Sequence, residues 1–200
     1  TFDTVFDEHS TQDDVYEKVA KNIIEGALSG YNGTLFAYGQ TGTGKTHTMM
    51  GSDVEGDGRG IIPRALDHIF ETVEANSDKY IYELNMSYVQ LYCELLQDLL
   101  EPDFSKTLTI REDTEQGRGV FIQGLSSFSV ASKDECLNLL RIGHENRAVA
   151  ETNMNSQSSR SHAAFMLSIE RRPKATFDNL MKEGNNEGKP NTAPKKTFAK

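Results

Sequence analysis

Gly39-Gln40-Thr41-Gly42-Thr43-Gly44-Lys45-Thr46 matches the pattern G-x-x-x-x-G-K-[ST] at every fixed position. A polyphosphate carries several negative charges, and backbone N–H groups wrapped around it neutralise them without side-chain bulk. Gly39, Gly42 and Gly44 let the backbone close tightly. Lys45 can reach the β and γ phosphates, and the Thr46 hydroxyl can hold a Mg²⁺ that bridges them. The bland alternative is a flexible glycine turn with an incidental Lys-Thr. The surroundings favour the phosphate cradle: the apolar run Thr34–Tyr38 reads as a buried strand leading in, and helix-compatible residues follow Thr46.

On both sides of the loop, the periodicities predict alternating elements. Before it, Ser10 or Thr11 with Asp13 and Asp14 form a capping-box pattern. Val15, Val19, Ile23 and Ala27 then recur every four residues until Gly30. Beyond the loop, Gly51 to Gly60 is rich in glycine and aspartate. Pro63 suits a first helical position, with Ala65, Leu66, Ile69, Phe70 and Val73 as the buried face. Tyr80–Tyr92 predicts a long strand and Leu95–Leu100 a helical turn. Thr107–Arg111, Gly119–Ile122 and Ser127–Val130 predict short strands. Ser132 and Glu135 open a helix whose Leu137, Leu140 and Ile142 face inward; Ala150–Ser161 is a polar loop and His162–Arg171 a strand. Helices interleaved with short consecutive strands predict an α/β sheet with some antiparallel pairing.

The whole chain of 200 residues is one domain's worth, with 36% hydrophobic residues and a mean hydropathy of −0.55. No run of about 18 apolar residues occurs to span a bilayer, so no membrane partner is expected. A net charge of −9 argues against a general nucleic-acid binder. The charge is uneven: residues 1–100 hold 6 basic and 17 acidic side chains, whereas from Arg171 onward there are 8 basic and 3 acidic. An acidic partner would thus be met through the second half. Cys93 and Cys136 are too few for a disulfide framework or a zinc site, which favours a reducing compartment. The N-terminus has neither a starting Met nor a signal-peptide pattern, so the chain is expected to begin inside a larger protein.

The loop implies a nucleotide without naming the base. No Asn-Lys-x-Asp guanine reader occurs, and Cys93–Asp98 is a poor version of the apolar strand ending in Asp-Glu that other ATPases carry. Adenine is the better reading. A second polar run, Asn155-Ser156-Gln157-Ser158-Ser159-Arg160-Ser161-His162, offers hydroxyls and an amide for a γ-phosphate and a Mg²⁺ shell. Alone it reads as a serine-rich surface loop. With the lysine loop 109 residues earlier, the phosphate-sensing reading is stronger.

The two runs together resemble the P-loop and switch I of the kinesin motor domain: GQTGTGKTHTM at Gly39–Met49 and NSQSSRSH at Asn155–His162. Gly60-Ile61-Ile62-Pro63-Arg64, SYVQLYCELLQDLL, and Phe2-Asp3-x-x-Phe6 with Gln12-x-x-Val15-Tyr16 agree in order and spacing. Myosin shares an Asn-x-x-Ser-Ser-Arg core but continues with Phe-Gly. The resemblance covers residues 1–172, which are expected to form a partial motor domain; residues 173–200 are expected to be a polar, disordered loop or extension. It implies an α/β P-loop NTPase fold, a central mixed sheet flanked by helices and incomplete at both ends.

For the site, the resemblance implies that Gln40 through Thr46 wrap the phosphates of ATP. His47 would lie near the adenine, against the alternative of a half-exposed helix histidine. Asn155 and Ser158 would sense the γ-phosphate, Ser159 with Thr46 would approach Mg²⁺, and Arg160 would latch a switch II glutamate. Lys106, Arg111 and Arg118 lie where the family makes its minor tubulin contact, although Glu112, Asp113 and Glu115 among them also suit a mixed-charge hairpin. The family's opening Arg-x-Arg-Pro strand and its Asp-Leu-Ala-Gly-Ser-Glu switch II do not occur here. The expectation is an ATP-binding part of a microtubule-based motor, acting in the cytoplasm on the cytoskeleton. The alternatives are a kinesin-like module that binds nucleotide without moving, or another P-loop NTPase such as a myosin-like motor. Oligomeric state is not readable from this stretch.

Overall fold

The computed structural model describes residues 1–53, 55–103, 105–113, 119–153 and 161–174. At its centre is β1 (Tyr80–Tyr92), whose aromatic and β-branched run forms the strand expected. β6 (Ser161–Pro173) pairs with it antiparallel along its whole length, from Tyr80 opposite Pro173 to Tyr92 opposite Ser161. The other edge of β1 is shared by β2 (Leu95–Asp98) and β5 (Phe128–Val130), also antiparallel. β3 (Thr109–Asp113) and β4 (Gly119–Gln123) make a separate two-stranded hairpin.

Side-chain alternation decides which face is covered. Leu84, Met86 and Tyr88 point to one face of β1, joined there by Ile169 of β6 and Val130 of β5. Against them lie Leu66 and Ile69 of α4 (Ile61–Ala75) and Cys136 and Leu140 of α5 (Lys133–Asn153). Burial pushes the Cys136 thiol up to about 12, which keeps it a neutral packing group. A smaller cluster, Tyr16, Ala20, Ile61 and Ala65, fastens the N-terminal helix to α4.

Several local expectations give way to tertiary structure. The N-terminal helix is capped as expected, with Thr11 accepting from Asp14 N–H and the Asp14 carboxylate accepting from Thr11 N–H. It runs as α1 (Gln12–Val15), a π-helical turn (Tyr16–Ala20) and α2 (Lys21–Leu28). The buried row is Tyr16 and Ala20, continued by the half-buried Ile24 and Leu28, whereas Val19 is exposed. Two neighbouring rows are apolar, and the larger anchor, Tyr16, takes the core side. Pro63 sits third in α4, still within the first turn, where its missing N–H costs nothing.

Leu95–Asp98 is a strand, because Cys93 and Glu94, with φ of 47° and 65°, reverse the chain in a two-residue turn. α5 runs on to Asn153, past the expected loop start at Ala150, and β6 begins at Ser161. Its N-terminus is capped as read: Ser132 Oγ accepts from Glu135 N–H at 3.2 Å, and the Glu135 carboxylate accepts from Ala131 N–H at 2.6 Å. The largest departure is Thr34–Tyr38, which lies in no ladder. None of the described strands runs beside it, and an extended segment without a partner gains nothing from being a strand. Leu35 is partly buried against the smaller cluster, while Phe36 and Tyr38 are exposed and stack on each other at 6.4 Å. Among the described residues no helix is long and apolar enough to cross a membrane.

Candidate functional site

The lysine loop folds into a closed curl. Gly44 has φ 86° and stands at the N-cap of α3 (Lys45–Met49), a left-handed position that glycine adopts without steric cost. Lys45 turns back over the loop, its Nζ donating to the carbonyls of Gly39 and Gln40 at 2.8 Å each. The Thr43 hydroxyl donates to the same Gln40 carbonyl at 2.8 Å. Gly39 is needed for this closure, because a Cβ there would sit 2.6 Å from Thr43 Oγ1. Gln40, Thr41, Gly42, Thr43, Gly44 and Thr46 are all solvent-exposed, and the first N–H groups of α3 have no intrahelical acceptor.

These features fit a polyphosphate with its metal ion. A backbone concavity closed by glycine, an ammonium gathered inside it and an exposed hydroxyl at Thr46 are the donor set such an anion requires. His47 follows on the same helix, exposed, and is held by Gln12 of α1: Gln12 Nε2 lies 2.8 Å from the His47 carbonyl oxygen and 3.2 Å from its Nδ1. Gln12 stands out in the sequence only through the family pattern. Its contact spans 35 residues, and nothing in its local spacing predicts it.

A charged network ties the segment after α3 to the helices. Asp67 is paired with both Arg59 and Lys133. Arg64, whose side chain is 11% exposed, donates to Asp13 at 2.6 Å, to the Arg59 carbonyl at 2.9 Å and to the Asp57 carbonyl at 3.1 Å. The segment is thereby fastened to α4, whose Arg64 and Asp67 also reach α1 and α5. Sequence reading treated it as a glycine-rich loop, since the partners of Asp67 lie on separate elements.

Of the serine-arginine run, Asn155, Ser158, Ser159 and Arg160 lie outside the described residues, as does Arg118. Ser161 is buried at the start of β6, and its Oγ accepts from Arg147 of α5 at 2.9 Å. Lys106 and Arg111 are exposed near and on the β3–β4 hairpin, with Arg111 Nε donating to Gln123 at 3.1 Å. Asp98, which ends the poor Asp-Glu strand, is committed elsewhere. Its carboxylate accepts from the N–H groups of Leu100 at 2.9 Å, Glu101 at 3.1 Å and Ser126 at 2.7 Å. It is a turn-holding carboxylate. His68 packs edge-on against Tyr16, 2.9 Å from its hydroxyl.

Comparisons with known proteins point to one family. The kinesin motor domain family matches residues 1–189. The chain is 44% identical over 170 residues to Kinesin-like protein KIF3C of Pongo abelii, covering 85% of this chain and 21% of that protein. It is 44% identical over 169 residues to the kinesin heavy chain of Syncephalastrum racemosum, covering 84% of this chain and 18% of that one. A solved structure described as that of a fast kinesin, with implications for ATPase mechanism and interactions with microtubules, superposes with a TM-score of 0.82 at 42% identity. That match covers 88% of this chain and 49% of the other. The chain thus spans about a fifth of the length of the curated relatives it matches.

Proposed function

The chain belongs to the kinesin motor domain family, and from that premise we propose that it is the nucleotide-binding part of a microtubule motor whose ATP hydrolysis drives its movement. The observation that carries the reading is the closed Gly39–Thr46 curl with the Lys45 ammonium gathered inside it. An incoming polyphosphate replaces the Gly39 and Gln40 carbonyls as the partner of Lys45, an exchange of neutral acceptors for charged ones. The exposed backbone N–H groups of the curl would hold the phosphates, and the Thr46 hydroxyl would hold a metal ion. Mg²⁺ held there would supply neutralisation of the phosphate charge.

Asn155 and Ser158 are proposed to sense the γ-phosphate, Ser159 to complete the metal shell and Arg160 to latch a switch II glutamate. The Arg147–Ser161 hydrogen bond supports that reading, since it fixes the strand into which the serine-arginine run leads. Lys106, Arg111 and Arg118 are proposed to meet the acidic microtubule surface. Two of them lie at the exposed hairpin, clear of the core. Its proposed location is the microtubule cytoskeleton of the cytoplasm.

Equilibrium binding of a fluorescent ATP analogue tests the site. Lys45→Ala is expected to weaken binding roughly 10- to 150-fold, the equivalent of about 1.5–3 kcal/mol for one charge-assisted hydrogen bond. Unchanged affinity in that variant would remove the loop from the site.

A further inference from the structure

The β3–β4 hairpin stands apart from the main sheet, on a narrow neck. It forms a two-stranded sheet of its own, and among the described residues none of its side chains belongs to either core cluster. The chain leaves the edge of β1 at Asp98, the last residue of β2, which lies opposite Val89. It returns at Phe128, the first residue of β5, which lies opposite Met86. Departure and return are thus three positions apart along one strand, and the hairpin hangs from that gap.

Asp98 touches both sides of the gap. Its Oδ1 accepts from the N–H groups of Leu100 at 2.9 Å and Glu101 at 3.1 Å, on the outgoing chain. Its Oδ2 accepts from Ser126 N–H at 2.7 Å, on the returning chain 28 residues later. Ser126 is gripped a second time, since its carbonyl accepts from Ser87 Oγ of β1 at 2.7 Å. Asp98 is buried, so water screens these bonds little, and an ionised acceptor makes them about twice as strong as bonds between neutral groups. A turn alone needs only the Oδ1 bonds. The Oδ2 bond does something else: it ties the outgoing chain to the returning one.

We propose that Asp98 is a positioning residue for the hairpin: its carboxylate clamps the two ends of the excursion and so sets where Lys106 and Arg111 stand relative to the sheet. The clamp stands on the geometry, while its consequence rests on the proposed microtubule contact of Lys106 and Arg111. Asp98→Asn separates clamping from packing. The amide has the size of the carboxylate but only one accepting oxygen, so whichever way it turns, one side of the gap meets an NH2 that cannot accept. The gap can then open, and the two cations no longer meet the acidic surface in one arrangement.

The experiment uses the full protein that carries this chain and reads ATP turnover against microtubule concentration. In Asp98→Asn the concentration for half-maximal stimulation is expected to rise about two- to tenfold, while basal turnover and the rate at saturating microtubules change by less than about twofold. Hydrogen exchange at the Ser126 amide is expected to quicken. The deciding readout is a double-mutant cycle. In a background carrying Lys106→Ala and Arg111→Ala, Asp98→Asn is expected to add nothing to the half-saturation value, because the clamp acts through those side chains. An unchanged half-saturation value in Asp98→Asn, an effect that adds in full on that background, or a basal rate that falls in step overturns the proposal. Were Asp98→Asn unable to fold, Ser87→Ala, which frees only the Ser126 carbonyl, carries the same cycle and is judged the same way. If Lys106→Ala with Arg111→Ala leaves half-saturation unchanged, the contact reading fails and the consequence falls with it. Quickened exchange at Ser126 would then leave the clamp itself standing, and unaltered exchange would remove it.

Discussion

Cys93 and Glu94 both occupy left-handed backbone, with φ of 47° and 65°, at the turn between β1 and β2. An L-residue other than glycine, asparagine or aspartate pays about 1–2 kcal/mol there. Cys93→Asn supplies a side chain that tolerates the conformation and adds none of glycine's extra freedom to the unfolded chain. It should stabilise the fold by about 0.5–1 kcal/mol in thermal or denaturant unfolding. A neutral or destabilising result would mean that the Cys93 side chain makes a compensating contact. The same pair shows where residue-level reading stops. Gly39, Gly42, Gly44, Lys45 and Thr46 were legible because each answers a local demand of a phosphate cradle. The turn at Cys93 was not, since neither residue carries the chemistry that usually marks such a reversal. Gln12 was opaque for another reason: its meaning lies in a partner across space.

Among the elements, helix starts were the clearest in sequence. The Thr11–Asp14 box forms as read, with Thr11 N–H and hydroxyl donating to the Asp14 carboxylate at 2.9 and 2.7 Å. Those bonds hold the Asp14 carboxyl below its ordinary value of 3.8, the backbone N–H being the larger cause. The sign follows from linkage. The cap's contribution is complete above 3.8 and is lost as the pH falls through the lower folded-state value. Acid unfolding of the protein beside Asp14→Asn is therefore expected to show the stability gap between them closing below that pH. A gap that stays constant through the acid range would mean the carboxylate contributes nothing through its charge. Helix faces were less legible than helix starts. Val15, Val19, Ile23 and Ala27 repeat as regularly as Tyr16, Ala20, Ile24 and Leu28, and the choice falls to packing against Ile61 and Ala65. Leu95–Leu100 failed as a helix for a related reason: a turn two residues earlier had already aimed the chain back along β1.

At the scale of the molecule, the alternation of helices and strands made the α/β class readable, and the length of β1 was exact in outline. The pairing order was not readable. The thirteen-residue ladder between β1 and β6 pairs residues 69 to 93 positions apart, and periodicity carries no information about which strand lies beside which. Thr34–Tyr38 shows the complementary limit, an apolar run that reads as a strand yet has no described strand beside it. Family membership supplies what the sheet does not, the ground on which the lysine loop and the serine-arginine run are proposed to serve one nucleotide.

ATP held by the Lys45 loop is proposed to drive work on microtubules. The most direct measurement is steady-state ATP turnover by the full protein, titrated in parallel with microtubules and with actin filaments. Turnover that rises with microtubules, ignores actin and vanishes in Lys45→Ala is the predicted result. Turnover indifferent to microtubules, or stimulated by actin in their place, would contradict it.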